Sequence, residues 1–490
     1  MNIVLIMADS LRSDALGCCG NAQVKTPNID LLAGAGLRFD TCYSTSPLCV
    51  PARAQLLSGK HCHETGNMEN PAWMAHTPHP VEVDGVYFEP EITTLPSILS
   101  MHDFYTGHLG KNHFYPRHNM MGFHHMEQCD FYGRHVYEID DYYLHLKAGG
   151  YGHLFRDAFG RVDAPGGAAG VMREEFGLLD RLCPYISKVP AELQTTPWLG
   201  NRAAKFIRNA PKGLPFFLTV SFYAPHDPYC VSPPHDQMID PDKISLPLLP
   251  EKLEPSTLYA GEQSLRQEVP PEIWRQNIAH YLANVSLIDA EVGRIIDTLK
   301  QQERYDDTLI IITSDHGDTL GEHHIWGKNL LYEDCARVPL IFHHGGGGIA
   351  NGVTSQIATL LDLFPTFLDQ VGVNSKDDRL AGKPLDLSSV HDGTDSRAIY
   401  GELSNPPSPQ YFVRSQEWKL IRLEGHDAGE LYNLHKDPSE LNNLASELPN
   451  ELAELSSMLD GWMESEKPFW KNRLSNIQVN WEQELRMSHL

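Results

Sequence analysis

Three short runs of this chain are almost unbroken in their apolar character: Ile3–Met7 (IVLIM), Phe216–Phe222 (FFLTVSF) and Leu309–Thr313 (LIIIT). A strand with one face in water alternates apolar and polar residues; a strand covered on both faces does not. Between these runs, Asn28–Gly36 reads as a helix with a glycine stop and Arg53–Ser58 as part of another. Thr94–Met101 and the long amphipathic Ile278–Gln301 also read as helices. Buried strands alternating with helices predict an α/β fold, with a mostly parallel sheet and helices on both of its faces.

The pattern changes along the chain. From about 123 to 200 the sequence is rich in Gly, Asp, Tyr and His with weak periodicity, which predicts an irregular, lid-like insertion. Beyond the glycines at 345–348, Ile357–Val371 reads as a helix. Ala398–Leu403, Tyr411–Ser415, Trp418–Leu423 and Glu430–Asn433 read as four hairpin-linked strands, with an amphipathic helix at Leu448–Glu464. A length of 490 residues suggests about three domains. The candidate site residues span positions 9 to 328, however, so the expectation is one large domain over 1–375 and a small antiparallel α+β subdomain over 376–490.

Asp and Glu number 64 against 39 Lys and Arg, a formal charge of −25. Such a chain repels a nucleic acid backbone and an anionic membrane surface, so neither is expected as partner, and an anionic ligand needs a local cationic pocket. The initial apolar run lacks the basic flank and cleavage site of a signal peptide, and no stretch reaches the ~18 apolar residues of a membrane span. The nine cysteines are odd in number and scattered, Cys18-Cys19 among them without a CxxC partner. They suit reduced thiols and a cytoplasmic location better than disulfides or a structural zinc site.

In open parallel sheets, ligands gather at the carboxyl ends of the strands. The first apolar run leads into Asp9-Ser10 and the third into Ser314-Asp315-His316. Each aspartate alone would serve equally as a helix cap; the two together with His316 make a plausible divalent-cation site. Between them, Cys49-Val50-Pro51-Ala52-Arg53 sets a thiol just before a proline turn, with an arginine four positions on at the start of a helix. A helix N-terminus and an arginine hold an anion beside such a nucleophile.

Cys49-x-Pro51-x-Arg53 followed by Ser58-Gly59 is the sulfatase motif, and the chain resembles type I sulfatases of the alkaline phosphatase superfamily. The likeness extends over Asp9-Ser10-Leu11-Arg12-Ser13-Asp14, Thr26-Pro27-Asn28-Ile29-Asp30, Gly110-Lys111-Asn112-His113 and Pro225-His226-Asp227-Pro228. It continues through Thr313–Asp318, Gly321-Glu322-His323, Trp326-Gly327-Lys328 and Glu430-Leu431-Tyr432-Asn433, in family order across nearly the whole chain. The resemblance implies an alkaline phosphatase-like sandwich built on a large mixed, mostly parallel sheet. It also implies hydrolysis of a sulfate ester to alcohol and inorganic sulfate.

In such enzymes the motif cysteine is oxidised by a maturation enzyme to Cα-formylglycine, whose hydrate is the nucleophile; here that residue is Cys49. By the same resemblance, Asp9, Cys49, Asp315 and His316 hold one divalent metal ion. Arg53 holds the formylglycine, and Lys111 and Lys328 bind sulfate oxygens. His113 serves the modified residue as hydrogen-bond partner and base, and His226 the leaving oxygen. Two positions depart from the family pattern: Ser10 replaces a common second aspartate, and His316 a common asparagine. A shell with nitrogen admits Mn²⁺ or Zn²⁺ besides the Ca²⁺ usual in the family. His316 also resembles the phosphonate monoester hydrolase and choline sulfatase branches, which makes a phosphonate monoester or phosphodiester hydrolase the nearest rival. A non-catalytic binder of sulfated ligands is a further alternative. His124-His125 and His323-His324 carry no independent argument beyond pocket lining.

Overall fold

The computed structural model describes the chain apart from residues 71–91, 115–118, 131–138, 161–183, 253, 255–268, 375–378, 394, 404–408, 426–428 and 488–490, and the side chains of 469–487. Among the described residues ten strands precede residue 360: β1 Asn2–Asp9, β2 Leu37–Tyr43, β3 Tyr105–Gly110, β4 His125–Gln128, β5 Tyr185–Ile186, β6 Phe216–Pro225, β7 Cys230–Val231, β8 Thr308–Ser314, β9 Leu340–His344 and β10 Gly352–Thr359. Eight form one sheet in the order β10-β2-β9-β8-β1-β6-β3-β4; β5 and β7 make a separate parallel pair. All neighbours in the large sheet run parallel except β9, which is antiparallel to both β2 and β8.

The three apolar runs are its centre. β1, β6 and β8 are buried along their whole lengths, and their registers align Val4 with Leu218 and Ile310, and Leu5 with Thr219 and Ile311. Because side chains alternate across a strand, two cores result. Val4, Ile6, Leu218, Val220, Ile310 and Ile312 face the helices Pro271–Gln301 and Thr195–Asn209. Ile3, Leu5, Met7, Phe217, Leu309 and Ile311 face Cys49–Ser58, Leu95–Met101 and Leu363–Gln370.

Several boundaries differ from the sequence expectation. The segment Ile357–Val371 is not one helix: Ile357–Thr359 end β10, paired with β2, and the helix starts at Leu363 after a turn at Leu360–Asp362. Thr359 and Asp362 form a capping box there, a local start signal that outweighed the apolar periodicity. The long helix begins at Pro271, with proline in the first turn where its missing N–H costs nothing. The stretch from about 123 to 200, expected to be irregular, includes edge strand β4, helix Asp141–Ala148 and the start of helix Thr195–Asn209; the rest of it lies partly outside the described residues.

β11 Ile399–Leu403, β12 Gln410–Ser415, β13 Trp418–Leu423 and β14 Glu430–Asn433 form an antiparallel meander. One face, with Phe412, Ile421 and Tyr432, packs on Tyr43, Leu48, Leu331 and Tyr332 of the large unit; the other, with Val413, Leu420 and Leu431, packs on Leu455 and Leu459 of the helix Pro449–Met487. A polar clamp ties the same parts. His63 offers Nδ1 to Glu402 of β11 at 2.7 Å and Nε2 to Glu466 of the last helix at 3.1 Å. Burial alone would lower the His63 imidazole, but Glu402 lifts it to about 9; burial would raise Glu402, and His63 holds it at about 2.

The sign of the linkage follows from these directions. Glu402 contributes stability present above its unfolded value of about 4.3 and lost toward pH 2; His63 contributes stability present below about 6.5 and lost as pH rises through 9. Replacing His63 alone by leucine strands a buried carboxylate and lowers stability by about 3–5 kcal/mol. The double variant His63→Leu/Glu402→Leu removes both charges. Its Tm should fall less steeply than that of the parent between pH 7 and 9; parallel Tm curves would show that the clamp does not titrate.

Candidate active site

The carboxyl ends of β1, β3, β6 and β8 lead into the segments that meet around one sulfur atom. Helix Cys49–Ser58 is buried at all ten positions, and Cys49 is its first residue. The thiol therefore sits at the positive end of the helix, one turn earlier than the sequence pattern suggested. The N-cap Leu48 has no capping side chain; instead Val50 donates its N–H to Asn70 Oδ1 at 2.9 Å. The helix ends on Gly59 in the left-handed region, φ 67°, whose N–H closes on Gln55. At the end of β3, Gly110 has φ 102° and its Cα lies so close to β6 that a Cβ would fall 2.0 Å from the Ser221 carbonyl oxygen. Glycine there lets Lys111 bond the same carbonyl, at 2.9 Å, and turn its side chain inward.

Arg53 is the hub of the cluster. Its Nε donates to Asp315 Oδ2 at 2.9 Å and Nη2 to Asp9 Oδ2 at 2.9 Å, while Nη1 donates to the Lys111 carbonyl and Ser221 Oγ, both at 2.7 Å. Lys111 Nζ lies 2.7 Å from Asp9 Oδ2 and 3.6 Å from Cys49 Sγ. Lys328 Nζ donates to the same sulfur at 3.1 Å and to His226 Nε2. His226 Nδ1 is turned to the Asp227 carbonyl, and His113, held at φ 68°, hydrogen-bonds the thiol. The six residues expected from sequence to act on the substrate thus lie around one point, all but fully buried.

Burial pushes the Cys49 thiol up, but Lys111, Lys328, His316 and the His113 hydrogen bond hold it well below the usual thiol range. Burial and Cys49 raise Asp9, yet Lys111, Lys328 and His226 keep it well below the usual carboxylate range. Asp315 is raised, by burial and by Asp9 beside it. His226 is lowered by burial and by Lys328, which matches a neutral ring accepting the lysine proton. Arg53, Lys111 and Lys328 bring three positive charges against Asp9, Asp315 and the lowered Cys49 thiol in a buried pocket, where charges act on one another more strongly than in water.

Asp9, Cys49, Asp315 and His316 each offer one donor atom, and all four atoms lie within 4.8 Å of one another. His316 turns Nδ1 to the Gly317 carbonyl at 2.7 Å, which leaves Nε2 facing Cys49 Sγ at 3.3 Å. That arrangement fixes a ring nitrogen as a metal donor. Arg53 takes the Oδ2 atoms of both aspartates, so the Oδ1 atoms face the cluster, 3.9 and 3.8 Å from His316 Nε2. The donor set therefore fits a divalent ion with mixed nitrogen and oxygen ligation. Ser10 does not replace the lost carboxylate. Its N–H donates to Asp315 Oδ1 and its hydroxyl to Asp9 Oδ1, both at 3.2 Å, so it spaces the two acids.

Two contributors were not foreseen. Ser221 lies hidden inside the apolar run of β6. Asp318 Oδ1 accepts from Tyr229 Oη, Leu320 N and Gly327 N at 3.0, 2.9 and 3.2 Å. It thereby joins the His226 loop to the turn that carries Lys328; its place in the Asp315–Asp318 segment was the available signal. Three of the four spare histidines have structural contacts: His124 bonds Thr106, His125 pairs with Glu127, and His323 stacks on Tyr332 with ring centroids 4.0 Å apart.

The family model for sulfatases matches residues 1–373, and that for the N-sulphoglucosamine sulphohydrolase C-terminal region matches residues 321–467. An arylsulfatase of Clostridium perfringens is 27% identical over 466 residues, covering 90% of each chain. A choline-sulfatase of Rhizobium meliloti is 28% identical over 458 residues, covering 91% of this chain and 82% of the relative. In fold, a phosphonate monoester hydrolase from Silicibacter pomeroyi superposes with TM-score 0.76 at 23% identity, over 97% of this chain and 96% of that one. The chain belongs to the sulfatase family of the alkaline phosphatase superfamily, a family of sulfuric ester hydrolases.

Proposed function

We propose that this chain hydrolyses a sulfate ester through a formylglycine formed at Cys49, with a divalent metal bound beside it. The observation that carries the reading is the setting of one buried sulfur. Two lysines, two histidines and two metal-donor carboxylates reach it or its immediate neighbours. The Sγ atom stands where the oxygens of the hydrated aldehyde would lie. One hydroxyl attacks sulfur and the alcohol departs; the second hydroxyl then loses its proton, the aldehyde re-forms, and sulfate is released. Splitting the reaction in this way replaces one difficult step by two easier ones.

Each residue has a place in this scheme. Arg53 holds the two carboxylates in position. Lys111 and Lys328 meet the sulfate oxygens where negative charge gathers. His113, bonded to the Cys49 side chain, takes the proton of the second hydroxyl, and His226 with Lys328 stabilises the departing oxygen. A divalent ion held by Asp9, Asp315, His316 and the modified Cys49 would polarise a sulfate oxygen and the nucleophile. A maturation enzyme for Cys49 is the implied partner. The global charge of −25 favours a small or singly sulfated molecule, aryl or saccharide, over a highly sulfated polymer. A cytoplasmic location accords with the free state of the eight described cysteines. For the domains, we place the large unit over 1–375 and the small one over 376–490.

His316 favours one second reading, a phosphonate monoester or phosphodiester hydrolase using the same centre. A panel of aryl sulfate, phosphonate monoester and phosphate diester separates the two. The sulfate should be turned over fastest, and a phosphonate rate far above it would reverse the assignment. Lys328→Ala should lower kcat on the sulfate about 10²–10³-fold, as loss of one preorganised donor does; an unchanged kcat would remove Lys328 from the reaction. Metal analysis of protein purified without added metal should find Mn²⁺ or Zn²⁺ in part of the molecules. Calcium alone at full occupancy would refute the effect assigned to His316.

A further inference from the structure

Cys18 and Cys19 stand apart from the active centre and from every role described above. They occupy the one-turn helix Gly17–Cys19 in the middle of the connection from β1 to the helix Pro27–Gly34, and both are half-buried. Their Sγ atoms lie 4.0 Å apart on the same side of the turn, and Arg38 of β2 directs Nη1 to Cys19 Sγ at 3.9 Å. The turn is tethered by the Cys18 N–H donating to Asp30 Oδ1 at 2.7 Å and the Gly17 N–H to Thr26 Oγ1 at 2.9 Å. Of the other described cysteines, Cys42, Cys49, Cys62, Cys129 and Cys335 are buried. A juxtaposed, partly exposed thiol pair beside a guanidinium is the setting of a reactive thiol with its resolving partner.

We propose that Cys18-Cys19 is a redox-modification site, which a hydroperoxide oxidises through Cys19 to a vicinal disulfide. The Cys19 thiolate attacks the peroxide oxygen, giving Cys19 sulfenic acid and releasing water or an alcohol. The Cys18 sulfur then attacks the Cys19 sulfur; the S–S bond forms, the S–O bond breaks, and the sulfenic hydroxyl leaves as water with the Cys18 proton, the Cys19 proton having left with the peroxide's departing oxygen. The two thiols are oxidised by two electrons and the peroxide is reduced. The thiols are unequal in the direction this sequence of steps needs. Arg38 lies against Cys19 Sγ and not against Cys18 Sγ, so its positive charge favours the thiolate at Cys19, while burial pushes the Cys18 thiol up.

Neighbouring Cα atoms are about 3.8 Å apart across a trans peptide, closer than the ~4.4–6.8 Å of ordinary disulfides. The closed ring is therefore strained and easily reopened by a thiol, so the pair is a reversible site and not a structural staple. The inference does not depend on the sulfatase mechanism.

Full-length reduced protein, treated with one equivalent of hydrogen peroxide, alkylated and digested, provides the test. The peptide bearing both residues should lose about 2 Da and resist alkylation, before the buried Cys42, Cys62 and Cys335 react, and dithiothreitol should restore it. Cys18→Ser should leave a sulfenic acid at Cys19 that dimedone traps. Cys19→Ser should slow oxidation at Cys18 at least about tenfold. Both thiols remaining alkylatable while buried thiols oxidise would overturn the proposal, as would a product that is only an intermolecular disulfide.

Discussion

The guanidinium of Arg53 is the contact on which the centre depends. It joins the ends of β1 and β8 through Asp9 and Asp315, the end of β3 through the Lys111 carbonyl, and β6 through Ser221. Without it, two buried carboxylates would face one another at close range, an arrangement that forces one of them to take up a proton. With it, the outer oxygens are occupied by the guanidinium and the inner ones, hydrogen-bonded by Ser10, face the cluster where a cation would sit. A planar fork of donors suits this task where a lysine ammonium would not. The hub can form because Arg53 lies one helical turn after Cys49, so a single buried helix delivers both the sulfur and the residue that organises its surroundings.

Much of the fold was legible in the sequence, for a physical reason. β1, β6 and β8 are covered on both faces, so their apolar runs needed no periodicity to be recognised. The four short strands after residue 398 appear within one or two residues of their expected bounds. The misses lie where a local signal competed with hydrophobic pattern. The capping box at Thr359 and Asp362 divides what looked like one helix, and the edge strand β4, His125–Gln128, is too short and too polar to stand out. The reversed direction of β9 depends on contacts distant in sequence and leaves no mark in its own residues.

The site was legible to the extent that its chemistry resides in rare residue types at fixed spacing. Cys49 with Arg53, and Asp9 with Asp315 and His316, could be named from the residues themselves; Lys111, His113, His226 and Lys328 could be named only through the family resemblance. Supporting residues could not. Ser221 is masked by the apolar residues around it, and Asp318 acts through main-chain and tyrosine donors that only the folded chain gathers. The clamp of His63 between Glu402 and Glu466 is of the same kind, since its partners lie more than 300 residues away. Ser10 shows what a departure from the family pattern can do: it replaces a common ligand with a spacer that hydrogen-bonds both remaining acids.

The acidic surface and the cationic interior fit one another. A chain with a formal charge of −25 concentrates Arg53, Lys111 and Lys328 around one sulfur, so an anion entering there would meet local cations despite the acidic whole. The central claim is that this point is built around an oxygen nucleophile made from Cys49, and the mass of the peptide containing Cys49 tests it most directly. After co-expression with a maturation enzyme, conversion of thiol to aldehyde should lower that mass by about 18 Da in a substantial share of the protein, and activity should rise with that share. A peptide that remains entirely thiol in protein that still hydrolyses a sulfate ester would contradict the account.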